Sequence, residues 1–408
     1  MRFTRLLAAL GLVALVASPL AAVTRRMFIS SVTGTGNLST WANAGGLTGL
    51  DAADAICQAR AAAASLPNAA GYRAWLSDSV DDAYCRMHNL AGKLTTNCGQ
   101  PSLPAAAGPW WRTDGKPFGA GLPDLVAPLG EVLNPPAFDE FGADLAVGGA
   151  WTGTAEDGAA GSFTCADWTV VDDPEPAFMG LAYRTATSWM KAGSAPCSSP
   201  QYHLYCFETG VADPLPPFPA SGRLAFLTSA YGTGELGSWP NAGSATGLEA
   251  GDAICRDLAA LAGIRQADSF RAWLSASGTN AIDRFEHDGP WMRLDGIEVA
   301  ASRVDLTSGY LESPINLTDT GAYVGNDYTW TGTQADGSAT PTNCSGWMSS
   351  GTTGEWGSAN TAVGLWTASG PTDCGFPGGH LYCLQDLPLI FLDGFESAGT
   401  QAWTTALP

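Results

Sequence analysis

The chain repeats itself, and this constrains its fold more than any other feature. Asn43-Ala-Gly, Thr48-Gly-Leu and Asp54-Ala-Ile-Cys57 return as Asn241-Ala-Gly, Thr246-Gly-Leu and Asp252-Ala-Ile-Cys255. Both copies then reach Arg-Ala-Trp-Leu-Ser, at Arg73 and at Arg271, and each of these pairs is 198 positions apart. Gly-Pro-Trp (Gly108, Gly289), Trp-Thr-Gly-Thr (Trp151, Trp330), Cys-x-x-Trp (Cys165, Cys344) and His-Leu-Tyr-Cys (His203, His380) follow in the same order, the offset falling to 181, 179 and 177. Chance does not produce an ordered series of this kind, and the unit is too long for a solenoid repeat. Two domains are expected, 25–210 and 222–385, with a linker at 211–221 whose Asp213-Pro-Leu-Pro-Pro-Phe-Pro favours a stiff, extended chain. The first drop in offset places about seventeen extra residues in repeat one, within 77–107.

The ten cysteines sort onto this repeat. Cys57, Cys165, Cys197 and Cys206 match Cys255, Cys344, Cys374 and Cys383, while Cys85 and Cys98 fall inside the extra segment and most simply staple it. An even count per domain in an exported chain reads as disulfides. Four cysteines allow three pairings, and spacing does not choose among them. A structural zinc site is the competing reading, but the paired C-x-x-C clusters it needs are missing.

Export is expected from the N-terminus. Arg2 and Arg5 precede an apolar run at 6–16, with small residues at Ala21 and Ala22, the anatomy of a signal peptide over 1–22. That run falls short of the roughly 20 residues a spanning helix needs, and no later stretch is long and apolar enough, so no transmembrane segment is expected. A net charge of −20 leaves no clustered cations for phosphate or sulfate, which excludes nucleic acid as a partner. Fifty Gly and 26 Pro point to short strands and long loops, and fifteen Trp supply apolar surface to bury.

Within one copy the pattern is α+β. A short apolar strand (27–31, and 224–229) leads through a Gly-rich loop to an Ala-rich helix from Gly49, with Asp51 in its first turn. Leu50, Ala53, Ile56, Cys57 and Arg60 fall near helical spacing, which turns Cys57 to the core. A strand at Tyr72-Arg-Ala-Trp-Leu-Ser, long irregular loops and a closing strand at Tyr202-His-Leu-Tyr-Cys-Phe complete the outline.

These residues together resemble the C-type-lectin-like fold, and in particular an uncharacterised bacterial extracellular domain family related to it and to endostatin. The resemblance rests on the helix Cys57 (Cys255), the Arg-Ala-Trp-Leu-Ser strand, Trp-Thr-Gly-Thr-x-x-Asp-Gly at Trp151 and Trp330, Cys165-Ala-Asp-Trp168 (Cys344-Ser-Gly-Trp347) and His-Leu-Tyr-Cys. It covers nearly all of both repeats. It implies two tandem, disulfide-stapled lectin-like domains with long loops. It also implies the pairs Cys57–Cys206, Cys165–Cys197, Cys255–Cys383 and Cys344–Cys374, with Cys85–Cys98 as a local extra. The Glu-Pro-Asn or Gln-Pro-Asp triplet and the Trp-Asn-Asp that serve calcium-dependent sugar binding in that superfamily do not stand at the expected places.

Candidate ligand-binding residues are Trp151, Asp157 and Trp168 with their counterparts Trp330, Asp336 and Trp347. Each Asp precedes Gly and reads first as a turn, with calcium ligation as the second role; Asp139 and Asp319 are further oxygen donors. The repeated tryptophans read first as core, with sugar stacking as the alternative. His203 and His380 read as structural. No catalytic residue stands out: the zinc helix, nucleophile elbow and P-loop motifs are absent. The reading is a secreted or cell-surface binding protein whose partner is an extracellular glycan, matrix or protein ligand, with calcium as the one candidate cofactor. A structural envelope component and a secreted polysaccharide hydrolase are the alternatives. The tail 386–408 reads as a sorting or export tag, or as a strand packed on repeat two.

Overall fold

The computed structural model describes residues 22–388 except 127, 129, 146 and 173–175. The expected signal peptide up to residue 21 and the tail from 389 lie outside the described residues.

Repeat one contributes β1 (Arg25–Ile29), β2 (Tyr72–Ala74), β3 (Trp110–Arg112), β4 (Pro117–Gly119), β5 (Gly149–Trp151), β6 (Ala177–Leu181), β7 (Gly193–Ala195) and β8 (Tyr202–Glu208). They form a sheet in the order β4-β3-β1-β8-β5-β6-β7, with β2 also paired to β8. Repeat two supplies β9 (Arg223–Leu227), β10 (Phe270–Ala272), β11 (Trp291–Arg293), β12 (Glu298–Ala300), β13 (Tyr328–Trp330), β14 (Thr353–Ser358), β15 (Gly370–Asp373), β16 (Gly379–His380) and β17 (Tyr382–Gln385). Here the closing strand breaks at Leu381, and the sheet divides into β10-β17-β9-β11-β12 and β15-β14-β13-β16. The expected α+β class holds.

One long helix lies against each sheet, Gly49–Ala63 and Gly247–Leu261. Alanine-rich sequence favours the helix, and Asp51 or Glu249 in the first turn suits its positive end. Leu50, Ala53, Ile56 and Cys57 are buried together, and Cys57 reaches Cys206 on β8. The remaining bridges are Cys85–Cys98, Cys165–Cys197, Cys255–Cys383 and Cys344–Cys374, and no cysteine is free. Such pairing fits an oxidising, extracellular compartment. Among the described residues no helix is long and apolar enough to cross a membrane.

A buried ion pair fastens each helix to its sheet. Asp54 accepts from the backbone N–H of Ala74 and pairs with Arg86 at 2.5 Å; Asp252 accepts from Ala272 and pairs with Arg284 at 2.6 Å. Arg86 and Arg284 stand 198 positions apart, as do Ala83 and Ala281, whose N–H groups both donate to a serine hydroxyl, Ser77 or Ser275. The two copies therefore still match at Arg86, so the extra residues, expected within 77–107, begin after Met87, and Cys85 is not among them, contrary to the expectation from the sequence. Cys85 sits in the shared part and tethers the added loop through Cys98.

The linker is not a free spacer. Ala212 donates to Gly108, Asp213 to Val23, and the Phe218 ring meets Trp111 edge-on at 6.2 Å. The repeats also meet directly. Arg184 and Thr361, equivalent positions 177 apart, form an antiparallel bridge in which Thr185 N–H donates to Asn360 O at 2.8 Å and Ala362 N–H to Tyr183 O at 3.1 Å. Thr185 matches Ala362 and Tyr183 matches Asn360, so the two bonds are related by a local two-fold axis. Around it, Asn316 donates to Thr185, Ser313 to Leu133 O, Asn360 to Ser188, and Arg112 pairs with Glu312 at 2.6 Å. Thr185, Ser313, Asn316, Asn360 and Thr361 are fully buried here. These loop residues are thus packed between the repeats and not presented to a ligand.

Candidate functional site

The four candidate tryptophans are core. Trp151, Trp168, Trp330 and Trp347 are 0–1 % exposed, and each indole N–H donates to a backbone carbonyl: Gly34, Ser77, Gly232 and Ser275 respectively. None has a face for a sugar ring, because a buried indole with a satisfied N–H is held by the packing that buries it. Asp157 and Asp336 are exposed turn residues, accepting from Ala159 N–H and from Ser338 N–H and Oγ. The Ser338 hydroxyl and N–H hold the Asp336 carboxyl below its ordinary range. Among the described residues no group of three or more His, Cys, Asp or Glu is placed to hold a metal ion. Asp139 and Asp319 are buried and engaged with backbone N–H groups, of Phe141 and Ala143 and of Ser229 respectively.

Cys165–Trp168 and Cys344–Trp347 each form one turn with positive φ at every residue, from 47° to 72°. This is a left-handed turn, a conformation that costs an L-residue roughly 1–2 kcal/mol at each position. Disulfides Cys165–Cys197 and Cys344–Cys374 anchor it, and Gly36 and Gly234 let the sulfur in: a Cβ on either would lie 2.4 or 2.2 Å from Sγ. In repeat one Asp167 on this turn accepts from Ser79 N–H and Oγ; burial works against its charge, but the Ser79 bonds prevail and lower its carboxyl.

A concave site lies elsewhere, where β5 and β8 run parallel. A cleft of about 660 Å³, open to solvent, is formed by Asp144, Leu145, Val147, Gly148, Gly149, Met179, Leu181, Gln201, Tyr202 and His203. Its volume is in the range of small-ligand sites. Gly148 and Gly149 present bare backbone: a Cβ on Gly149 would meet the Tyr202 ring at 2.9 Å and Met179 Cε at 3.2 Å. The Tyr202 ring lies on Trp151 with centroids 4.3 Å apart. His203 Nδ1 sits 2.6 Å from Ser30 O, an acceptor, so Nδ1 carries the proton and Nε2 is left as an acceptor. Burial pushes the imidazole below its ordinary value against the pull of the Ser30 and Val32 carbonyls, Glu140 and Asp139.

Repeat two builds the same place differently. In register, Gly149 faces Tyr202 across β5 and β8, whereas Tyr328 faces Gly379 across β13 and β16. The tyrosine and the glycine have exchanged strands. Tyr328 stacks on Trp356, the counterpart of Met179, at 4.0 Å and touches Phe376 at 4.9 Å. His380 keeps the bond of His203, its Nδ1 lying 2.7 Å from Thr228 O. Each repeat therefore places one tyrosine ring here, from β8 in repeat one, where it lies against Gly149, and from β13 in repeat two.

Sequence reasoning passed over this cleft because it looked for residues the copies share, and here they differ. Aligned at the offsets of 179 and 177, Gly148-Gly149 stands against Asp327-Tyr328 and Gln201-Tyr202 against Gly378-Gly379, a reciprocal exchange visible in the residues alone. Compared with known proteins, the chain matches no family model and no curated sequence.

Proposed function

We propose that this is a secreted or cell-surface binding protein, non-catalytic, built from two tandem lectin-like domains of which repeat one carries the ligand site. The observation that supports this reading is the cleft of repeat one, open to solvent and bordered by Gly148, Val147, Gln201, Tyr202 and His203. A scaffold held by five disulfides with a preformed concavity suits recognition of an extracellular ligand, since little ordering entropy is lost on binding. Glycan, matrix polymer and protein are the ligand classes in play, and calcium remains a proposed cofactor.

The test is an array of glycans and extracellular proteins probed with the mature chain and with a Val147→Trp variant. Val147 is 74 % exposed at the cleft mouth, so the indole covers the opening without disturbing the core. Binding that the variant loses supports the reading. Binding that survives it unchanged moves the site away from the cleft and overturns it. Repeating the positive interactions with a chelator decides the calcium question.

A further inference from the structure

The seam between the repeats carries a second concavity, chemically unlike the cleft over β5 and β8. A cavity of about 280 Å³ opens there, bordered by the carboxylates of Asp144 from repeat one and of Glu298, Asp305 and Glu312 from repeat two. Glu312 receives Arg112 at 2.6 Å and Lys116 at 3.0 Å, and the same Lys116 lies 3.8 Å from Glu298. Arg112 is shared with Asp114, and Asp305 accepts from the Ser302 hydroxyl of its own turn. These groups leave a surplus of negative charge at the seam, in a chain whose net charge is already −20.

The rest of the wall is apolar: Ala300, Leu311 and the ring of Tyr310, which is 49 % exposed. A space with an apolar side and a carboxylate rim suits a side chain that is itself a hydrocarbon stem ending in a cation. Lysine has that shape, and an ammonium beside an exposed tyrosine face gains a cation–π contact besides its ion pairs. Lys116 already makes such ion pairs at the rim from within the chain. A sugar amine brings the same charge but surrounds it with hydroxyl groups, for which the lining offers little beyond the Ser308 and Tyr310 hydroxyls.

We propose that the seam cavity is a docking point for a basic segment of a partner protein. A lysine side chain lies along Leu311 and Tyr310, with its ammonium among Asp144, Glu298 and Asp305. The walls come from both repeats, so the site exists only while the seam is closed. Asp144 also borders the cleft of repeat one, but the two sites are separate and neither reading needs the other.

The experiment is titration calorimetry of the mature, disulfide-bonded chain at low ionic strength, with acetyl-pentalysine amide as the probe and a glucosamine pentamer as the control. Saturable binding of the peptide is expected, with clearly weaker binding of the pentamer. Glu298→Gln with Asp305→Asn removes two exposed ion pairs and is expected to weaken the peptide about tenfold at a retained melting temperature. Asp157→Asn with Asp268→Asn removes the same charge from exposed positions elsewhere and is expected to leave the affinity as it was. Tyr310→Ala keeps every carboxylate and is expected to weaken binding about threefold. The proposal is overturned by a parent chain that does not bind, by equal losses in the two double variants, or by a Tyr310→Ala chain that binds as the parent does. A glucosamine pentamer bound as tightly as the peptide overturns the assignment to a protein partner. Peptide binding lost in Val147→Trp but kept in the cavity variants places the peptide in the cleft, which overturns this proposal while supporting the ligand site of repeat one.

Discussion

Repeat one and repeat two agree in the side chains that tie helix to sheet and fill the core, and part company at an added loop, at the closing strand and at the cleft. The helix cysteine, the Asp54–Arg86 and Asp252–Arg284 pairs, the left-handed turn and the buried indoles occur in both. The added loop closed by Cys98, the Tyr–Gly exchange at the cleft and the break at Leu381 belong to one copy each. The difference teaches that a duplicated scaffold preserves the contacts whose loss leaves a cavity or an unpaired charge, because those cost several kcal/mol each, and varies the rest.

The largest expected effect tests the shared staple against the private one. Replacing Cys57 and Cys206 by Ala removes a link across 149 residues, and replacing Cys85 and Cys98 removes one across 13. In the chain-entropy model these are worth about 5 and about 3 kcal/mol. Denaturant melts of both double variants check the order, and equal losses would show that the added loop is integral to the core of repeat one.

Next come the ion pairs. Arg284→Met strands the buried carboxylate of Asp252, at about 3–5 kcal/mol, and Arg86→Met the partly buried one of Asp54. Asp54 keeps Arg73 at 3.9 Å as a second cation, whereas Arg271 is engaged with Asp386, so the repeat-two variant is expected to lose more. Calorimetry of the two variants measures the difference, and a larger loss in repeat one would mean that Arg73 does not compensate.

The left-handed turn comes third. Repeat one places four non-glycine residues in it and repeat two only three, because Gly346 stands where repeat one has Asp167. Ala166→Gly is therefore expected to stabilise repeat one by about 1 kcal/mol. A lower melting temperature would show that the Ala166 methyl makes a contact outweighing the strain.

The smallest effect is a pH dependence. His203 is held below its ordinary value by burial, so the unfolded chain binds more protons than the folded one between the two values. Stability is then fully present above the ordinary imidazole range, near 6.5, and declines as pH falls through it. His203→Gln is expected to flatten that part of the melting-temperature profile, and a slope that persists unchanged would assign it to other groups.

Much of this architecture was legible in the residues. Period and order exposed the duplication, helical spacing turned Cys57 inward, the resemblance implied four of the disulfide pairs that the structure contains, and the two unmatched cysteines pointed to the fifth. The site was less legible for a physical reason. Trp151 and Trp330 repeat because they fill the core, so repetition marked packing where a ligand was being sought. Trp41 and Trp239, also 198 apart with indole N–H groups bonded to Thr35 and Thr233 carbonyls, repeat for the same reason. The start of the added loop is hard to read because Ala83 and Arg86 are the last matches to Ala281 and Arg284 before the offset changes, and they are single residues, not a run. The seam between the repeats left no motif, since backbone N–H and C=O groups make its central bonds and any sequence carries those.

That seam has an arithmetic consequence. Because Arg184 meets its own equivalent, Thr361, the face each repeat offers is the face it accepts, and one pairing uses up both. Such a contact saturates at two and cannot propagate into a filament. A chain with an even number of these units can close every edge within itself, whereas one with an odd number would carry a single unmatched edge and seek its complement in another molecule.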